Sequence, residues 1–250
     1  MIARDERRVI AERLSELAFC DERVVLDGGS TDGTAQAATA AGAIVEVRPF
    51  TDFADQRNHA LSIARGKWVF IVDCDEPVGP ELAAEVLRAV RSDRYDAYEV
   101  RRVNRIFGRT MRYGGNGGDV QVRLALRDRA RFEGRVHERL VTSGLRVGRL
   151  RAPLVHESTP DVRTYMRKLN HYTALEVQEM RRRGTDGIGR GDAPRAGRAL
   201  AVFVRRYFLA GGLLDGMPGF LYAMLSGYYE FVRRMKVWEE RGASIERSAE

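Results

Sequence analysis

Apolar runs of strand composition end abruptly in acids at two places in this chain. Trp68-Val69-Phe70-Ile71-Val72 stops at Asp73-Cys74-Asp75-Glu76, three carboxylates within four residues. Upstream, Val24-Val25-Leu26 stops at Asp27, followed by Gly28-Gly29-Ser30-Thr31-Asp32-Gly33-Thr34. Between the two mouths the pattern predicts helix, strand, helix: an Ala-rich segment over 34–41, a strand over 43–47, and a helix over 53–65 with Ala60, Leu61 and Ala64 at helical spacing. Strands alternating with helices predict an α/β fold with a mostly parallel sheet. Ligands of such sheets bind beyond the carboxyl ends of the strands, where both acid clusters fall.

Before the first acidic mouth, residues 6–19 carry apolar residues at Val9, Ile10, Leu14 and Leu17, an amphipathic helix. Only Ile2-Ala3 remain for the strand that a βαβ unit requires, so the first strand is expected to be nearly absent. After Glu76, Gly79-Pro80 turns the chain, and Leu82, Val86 and Leu87 are expected on one face of a helix over 81–90. Residues 97–103, 120–126 and 135–141 read as strands of an antiparallel extension beside the Gly-rich loop at 114–118. A long helix starts after a cap at Asp161, and two more follow over about 198–209 and 218–240. The expected organisation is a catalytic domain over 1–157 and a helical extension over 158–250, with a mobile linker at about 184–195.

The chain has 250 residues, is 44% hydrophobic and carries a formal charge of +7, which suits a soluble protein that meets something anionic. Only Lys67, Lys168 and Lys236 are lysines, so the basic excess is almost all arginine. Cys20 and Cys74 suggest neither a disulfide framework nor a zinc site. No signal peptide or membrane span is expected, which predicts a cytoplasmic protein.

Several acids held close together repel and raise one another's pKa unless a cation joins them, and the simplest cation is a divalent metal. With Asp27-Gly28-Gly29-Ser30-Thr31-Asp32, Gln56-Arg57-Asn58 and 68–76 in view, the sequence resembles family 2 glycosyltransferases of the GT-A fold. Tyr113-Gly114-Gly115, Gln121-x-Arg123-Leu124, Val136-His137-Glu138-Arg139, Lys168-Leu169-Asn170-x-Tyr172 and Arg206-Tyr207-Phe208-x-x-Gly211-Gly212-x-x-Asp215-Gly216 resemble its lipopolysaccharide-core beta-glucosyltransferase branch.

The resemblance implies inverting transfer of a sugar from a nucleotide-diphosphate donor, expected to be UDP-linked, to a hydroxyl of a saccharide or lipid-linked acceptor. It implies Mg²⁺ or Mn²⁺ on Asp75, with Asp73 facing the metal or the ribose, to offset charge growing on the leaving diphosphate. Asp27, Asp32 and Glu6 are expected around the nucleotide, with Asp5 beside them where the family normally has Asn. Arg123 is expected on the diphosphate or the acceptor. Glu138 is the candidate base, with His137 orienting it or acting in its place, and Asp119 is the alternative. His59, His156 and His171 are read as structural.

The C-terminal helix aligns Phe220, Leu221, Met224, Leu225, Tyr228, Val232 and Met235, with Arg233, Arg234 and Lys236 near its end. Such a stripe either packs on the catalytic domain or lies in a membrane interface, and peripheral membrane contact is favoured. Two other functions share parts of this pattern. A nucleotidyltransferase would need a Gly-rich basic loop for a triphosphate, which is missing. A non-enzymatic Arg-rich binding protein would read nucleic acid or anionic lipid, but no aromatic-interleaved basic motif appears, so no nucleic-acid partner is expected.

Overall fold

In the computed structural model, residues 1–92, 94–134, 138–182 and 196–247 are described, the side chains of 196 and 240–247 excepted. The expected linker at 184–195 and His137 lie outside the described residues. The chain divides into two compact units, Met1–Val103 with Gly118–Glu157, and Asn104–Gly117 with Ser158–Glu250.

In the first unit, β1 (Ile2–Ala3), β2 (Val24–Asp27) and β3 (Ile44–Val47) form a parallel sheet with β2 in the centre. The short first strand is thus present, pairing Ile2 with Leu26 and Ala3 with Asp27. A second sheet takes β4 (Trp68–Phe70), β5 (Ala97–Ile106), β7 (Val120–Leu126) and β10 (Val147–Arg149) in the order β10-β5-β7-β4. Its β4·β7 and β5·β7 ladders are antiparallel, whereas β10 runs parallel to β5. β11 (Leu154–Thr159) also pairs with β5, as does the short β6 (Arg109–Thr110). Within the strand expected over 135–141, described from 138 on, Arg139–Leu140 form β9, which pairs with β8 (Phe132–Glu133).

The helices α1 (Ile10–Glu16), α2 (Thr34–Ala40), α3 (Phe53–Ile63) and α4 (Pro80–Val90) cover these sheets. Gly33 precedes α2 at φ 92°, a left-handed conformation that costs glycine no Cβ clash. Asp52 caps α3 by accepting from Asp55 N at 2.8 Å, and Pro80 opens α4, where a missing N–H is harmless. On α4 the buried face is Leu82, Val86 and Ala89, and Leu87 is exposed. Leu87 lies five positions from Leu82 and so turns away from a face whose members recur at three and four.

The largest core joins α4 to the second sheet through Val72, Leu82, Val86, Tyr98, Val100, Leu124 and Leu154. A second packs Ile10 and Leu14 of α1 on Ala3, Val25 and Cys74. At the sheet edge, the Asp96 carboxylate accepts from Arg146 N at 2.9 Å and from its Nε and Nη2 at 3.2 Å, tying the start of β5 to the approach to β10.

In the second unit, α5 (Val162–Arg182) is capped as expected, with Thr164 N donating to Asp161 Oδ1 at 2.7 Å. α6 (Ala196–Val204) continues into a π-turn over Arg205–Leu209, a 3₁₀ turn follows over Gly212–Asp215, and α7 runs over Gly216–Arg247. The buried positions of α7 include Gly219, Ala223, Gly227 and Val237, while Phe220, Met224, Tyr228 and Met235 of the expected apolar stripe are exposed. The small residues win because they admit a neighbouring backbone: a Cβ at Gly227 would stand 2.7 Å from Ala199 O of α6.

Leu82→Ala removes a side chain that is 1% exposed at the centre of the largest core, and denaturant titration is expected to show a loss of about 2–5 kcal/mol. The Arg146 hydrogen bonds, assisted by Arg129, hold the Asp96 carboxyl down at about 2. A depressed carboxyl contributes stability that is fully present above its unfolded value, about 4, and is lost as pH falls through the folded one. Asp96→Asn is therefore expected to lower the melting temperature at pH 7 and to flatten its fall between about pH 4 and pH 2.

Candidate active site

β4 ends at Phe70, and Ile71 N still donates to Arg123 O of β7 at 2.7 Å, so the acid loop that follows begins beside that strand. Within the loop Asp73 N donates to Glu76 Oε2 and Glu76 N to Asp73 O, each at 3.0 Å. This turn brings the two carboxylates together, and the charge that accumulates is met by arginine. Arg57 Nη2 donates to both Asp73 oxygens, at 2.9 and 3.0 Å, and Arg123 Nη2 donates to Asp73 Oδ2 at 3.2 Å. Arg123 also donates to Glu76 Oε1, and Arg102 Nε stands 3.4 Å from the same oxygen. The need for a cation among these acids is therefore met at Asp73 and Glu76 by guanidinium groups.

Burial alone would raise both carboxyls. At Asp73 the charges of Arg57 and Arg123 more than reverse the effect and hold the group far below the usual range. At Glu76, whose side chain is fully buried, burial and the neighbouring Asp73 leave the carboxyl raised despite Arg123. Arg57 itself comes from α3, which buries Gln56 and Arg57. Its Nε donates to Glu138 Oε1 at 2.9 Å, and its guanidinium lies 5.5 Å from the Phe132 ring centroid. Asn58, the next residue, fixes β8 by donating to Phe132 O at 2.9 Å and accepting from Phe132 N at 2.8 Å. One guanidinium thus bridges Asp73 and Glu138, residues far apart in sequence.

Asp75 faces another group. Its Oδ2 lies 3.4 Å from His156 Nε2 on β11, and Glu157 N donates to Asp75 O at 2.7 Å, which holds β11 against the loop. Arg102 Nη2 approaches both ring nitrogens of His156, at 2.5 and 3.1 Å, and Arg102 Nε lies 3.3 Å from Asp119 Oδ2. His156, read from sequence as structural, therefore belongs to the site. Sequence spacing carried no signal for it, since a lone histidine on a strand matches no ligand motif.

Among the described residues no group of three or more His, Cys, Asp or Glu converges as a metal-ligand set. The Asp75 carboxylate, whose side chain is 30% exposed, nonetheless offers an oxygen ligand to a divalent ion that takes its remaining ligands from phosphate oxygens and water. Asp27, at the end of β2, is 1% exposed; its Oδ1 accepts from Gly29 N at 2.8 Å and Ser30 N at 2.6 Å. Asp27 Oδ2 is buried with no hydrogen-bond donor among the described residues, a free acceptor at the carboxyl end of the central strand.

The other nucleotide-side residues are tied into the loop. Asp32 accepts from Arg7 N at 3.0 Å, Thr34 N at 3.0 Å and Thr34 Oγ1 at 2.5 Å, and the Thr34 hydroxyl is the main cause of its lowered pKa. Glu6 N donates to Thr34 Oγ1 at 2.8 Å, and the Glu6 charge helps to raise the buried Cys74 thiol, after burial itself. Asp5, at φ 56°, accepts from Thr31 N at 2.9 Å.

Removing one partner of a buried ion pair leaves the other charge uncompensated. Arg123→Met is expected to destabilise the protein by about 3–5 kcal/mol in denaturant titration. Glu76→Gln, at a carboxyl already biased toward its neutral form, is expected to cost less than that.

A family model described as "Glycosyl transferase family 2" matches residues 2–170. The chain is 30% identical over 258 residues to "Lipopolysaccharide core biosynthesis glycosyltransferase LpsC" of Rhizobium meliloti (strain 1021), covering 96% of this chain and 90% of that protein. It is 25% identical to an uncharacterized glycosyltransferase of Rickettsia bellii (strain RML369-C), over 88% of this chain and 78% of the relative. Among solved structures, mannosyl-3-phosphoglycerate synthase from Rubrobacter xylanophilus is 18% identical, with a TM-score of 0.46 over 78% of this chain and 76% of that one. With a family model over more than half its length and a relative aligned nearly end to end, the chain belongs to glycosyl transferase family 2, with the GT-A fold.

Proposed function

We propose that the protein is an inverting, metal-dependent glycosyltransferase that takes a sugar from a UDP-linked donor and passes it to a hydroxyl of a cell-envelope glycolipid or polysaccharide. Support for the acceptor class comes from the relative named for lipopolysaccharide core biosynthesis. The observation that carries the chemistry is Asp75, partly exposed and 3.4 Å from His156 of β11, on a loop whose Asp73 and Glu76 are paired with arginine. Residues 1–157 would carry the transfer and 158–250 would form an extension, working at the inner face of the cytoplasmic membrane.

In this proposal Asp27 Oδ2 accepts a hydrogen bond from the base or ribose of the nucleotide, since a buried carboxylate oxygen without a donor is costly until one arrives. Asp75 would hold Mg²⁺ or Mn²⁺, with Asp73 behind it and His156 beside it; the ion, when bound, would neutralise charge growing on the leaving diphosphate. Arg57 positions Glu138 through the 2.9 Å bond to Oε1, leaving its other oxygen to take the proton. The acceptor oxygen then bonds to the anomeric carbon from the face opposite the diphosphate. The bond from that carbon to the diphosphate breaks, its electron pair leaves with the nucleoside diphosphate, and the acceptor proton ends on Glu138.

Calorimetric titration of UDP, GDP and UDP-glucose, each with and without Mn²⁺, tests this. UDP is expected to bind at least about tenfold more tightly with Mn²⁺, a difference of about 1.4 kcal/mol, and Asp75→Asn is expected to remove that gain without lowering the melting temperature. Equal UDP affinity with and without Mn²⁺ in the wild type would exclude the metal role, and preference for GDP would exclude the donor assignment.

A further inference from the structure

A second site lies wholly within the helical unit. Between α5, α6 and α7 is a cavity of about 390 Å³ whose lining includes Lys168, Arg205, Arg206, Tyr165, Tyr222 and Tyr229. Among the described residues one acid lies on its wall, Glu230, and it is engaged by Arg233 and by Arg234 Nε at 2.7 Å, so the described wall keeps a cationic excess. Arg206 is aimed by its neighbours: Nη1 donates to Gly114 O at 2.7 Å and the guanidinium lies 5.0 Å from the Tyr222 ring centroid. Its Nε is buried with no acceptor among the described residues. A buried guanidinium N–H without an acceptor is costly, and an anionic oxygen removes that cost.

The two arginines begin the π-turn, and the chain beyond them is apolar. Phe208, Leu209, Leu213, Leu214 and Met217 form an exposed elbow, with Leu209, Met217 and Leu214 at 80%, 67% and 62%. The elbow is a fixed shape. Asp215 accepts from Tyr113 N at 2.9 Å, Gly114 N donates to Ala210 O at 2.9 Å, and a Cβ at Gly212 would meet Arg206 O at 2.6 Å. The exposed face of α7 continues it through Phe220, Met224 and Tyr228. No single helix among the described residues is long and apolar enough to cross a membrane; α6 and α7 meet at a 71° bend.

Water is a poor solvent for such an elbow, and a cationic cavity beside it complements a charged head joined to an apolar tail. We propose that the cavity binds the phosphate-bearing headgroup of a membrane amphiphile, with Arg205 and Arg206 on the phosphate and the elbow among the acyl chains. This rests on the reading above only in that an amphiphilic acceptor would give the site a purpose.

Flotation with vesicles of phosphatidylcholine, alone or mixed with phosphatidylglycerol, tests the site without donor or metal. Wild-type protein is expected to bind the mixed vesicles at least about tenfold better than the neutral ones. Arg205→Gln is expected to weaken that binding by about fivefold, whereas Arg88→Gln, which removes the same charge from the exposed face of α4, is expected to change it little. Leu209→Ser with Leu214→Ser is expected to weaken it more than tenfold at unchanged melting temperature. Equal binding to both vesicles, equal effects of the two arginine variants, or no vesicle binding would overturn the proposal. Capture of inorganic phosphate by wild-type protein that binds neither vesicle would assign the cavity to free phosphate and overturn it as well. Transferase activity enters none of these readouts, so failure here and failure of the transfer proposal are separable.

Discussion

The acid loop after β4 depends on guanidinium charge. Asp73 and Glu76 are turned toward each other by their own backbone hydrogen bonds, and without Arg57 and Arg123 two carboxylates would share a poorly solvated space. Their arginines come from α3 and β7, so the ion pairs tie a helix and a strand to the loop. Arg57 extends the same constraint to Glu138. The site is therefore preorganised by charge, and its geometry follows from compensation as much as from hydrophobic packing.

Such a network divides the acids by role. Groups saturated by arginine are poor candidates to change partners during a reaction, because each lost bond leaves a buried charge. Asp75 with His156 stands at the more open side of the loop, and Asp27 keeps one oxygen without a donor at the neighbouring strand end.

The alternation of strands and helices, the two acidic mouths, the cap at Asp161 and the C-terminal helices were legible in the sequence because each is a local pattern. Arg57, Arg102 and Arg123 gave no comparable signal as a group: they come from three elements, and only the fold brings their charges together. The same is true of His156, which meets Asp75 because β11 bonds to the loop after β4. On α7 the apolar stripe was visible but its burial was not. Periodicity counts hydrophobic side chains, whereas helices pack by how closely their backbones approach, and Gly219, Ala223 and Gly227 allow the closer contact.

The elbow between α6 and α7 has a thermodynamic consequence. Its backbone is held by Asp215, Ala210 and the close approach of Gly212 to Arg206, so its exposed leucines stand in place before any surface meets them. A segment that ordered only on contact would lose roughly 1–2 kcal/mol of backbone conformational entropy per residue at that moment. Here that loss belongs to folding, and the apolar contact area of the elbow translates into attraction undiminished by a disorder-to-order transition.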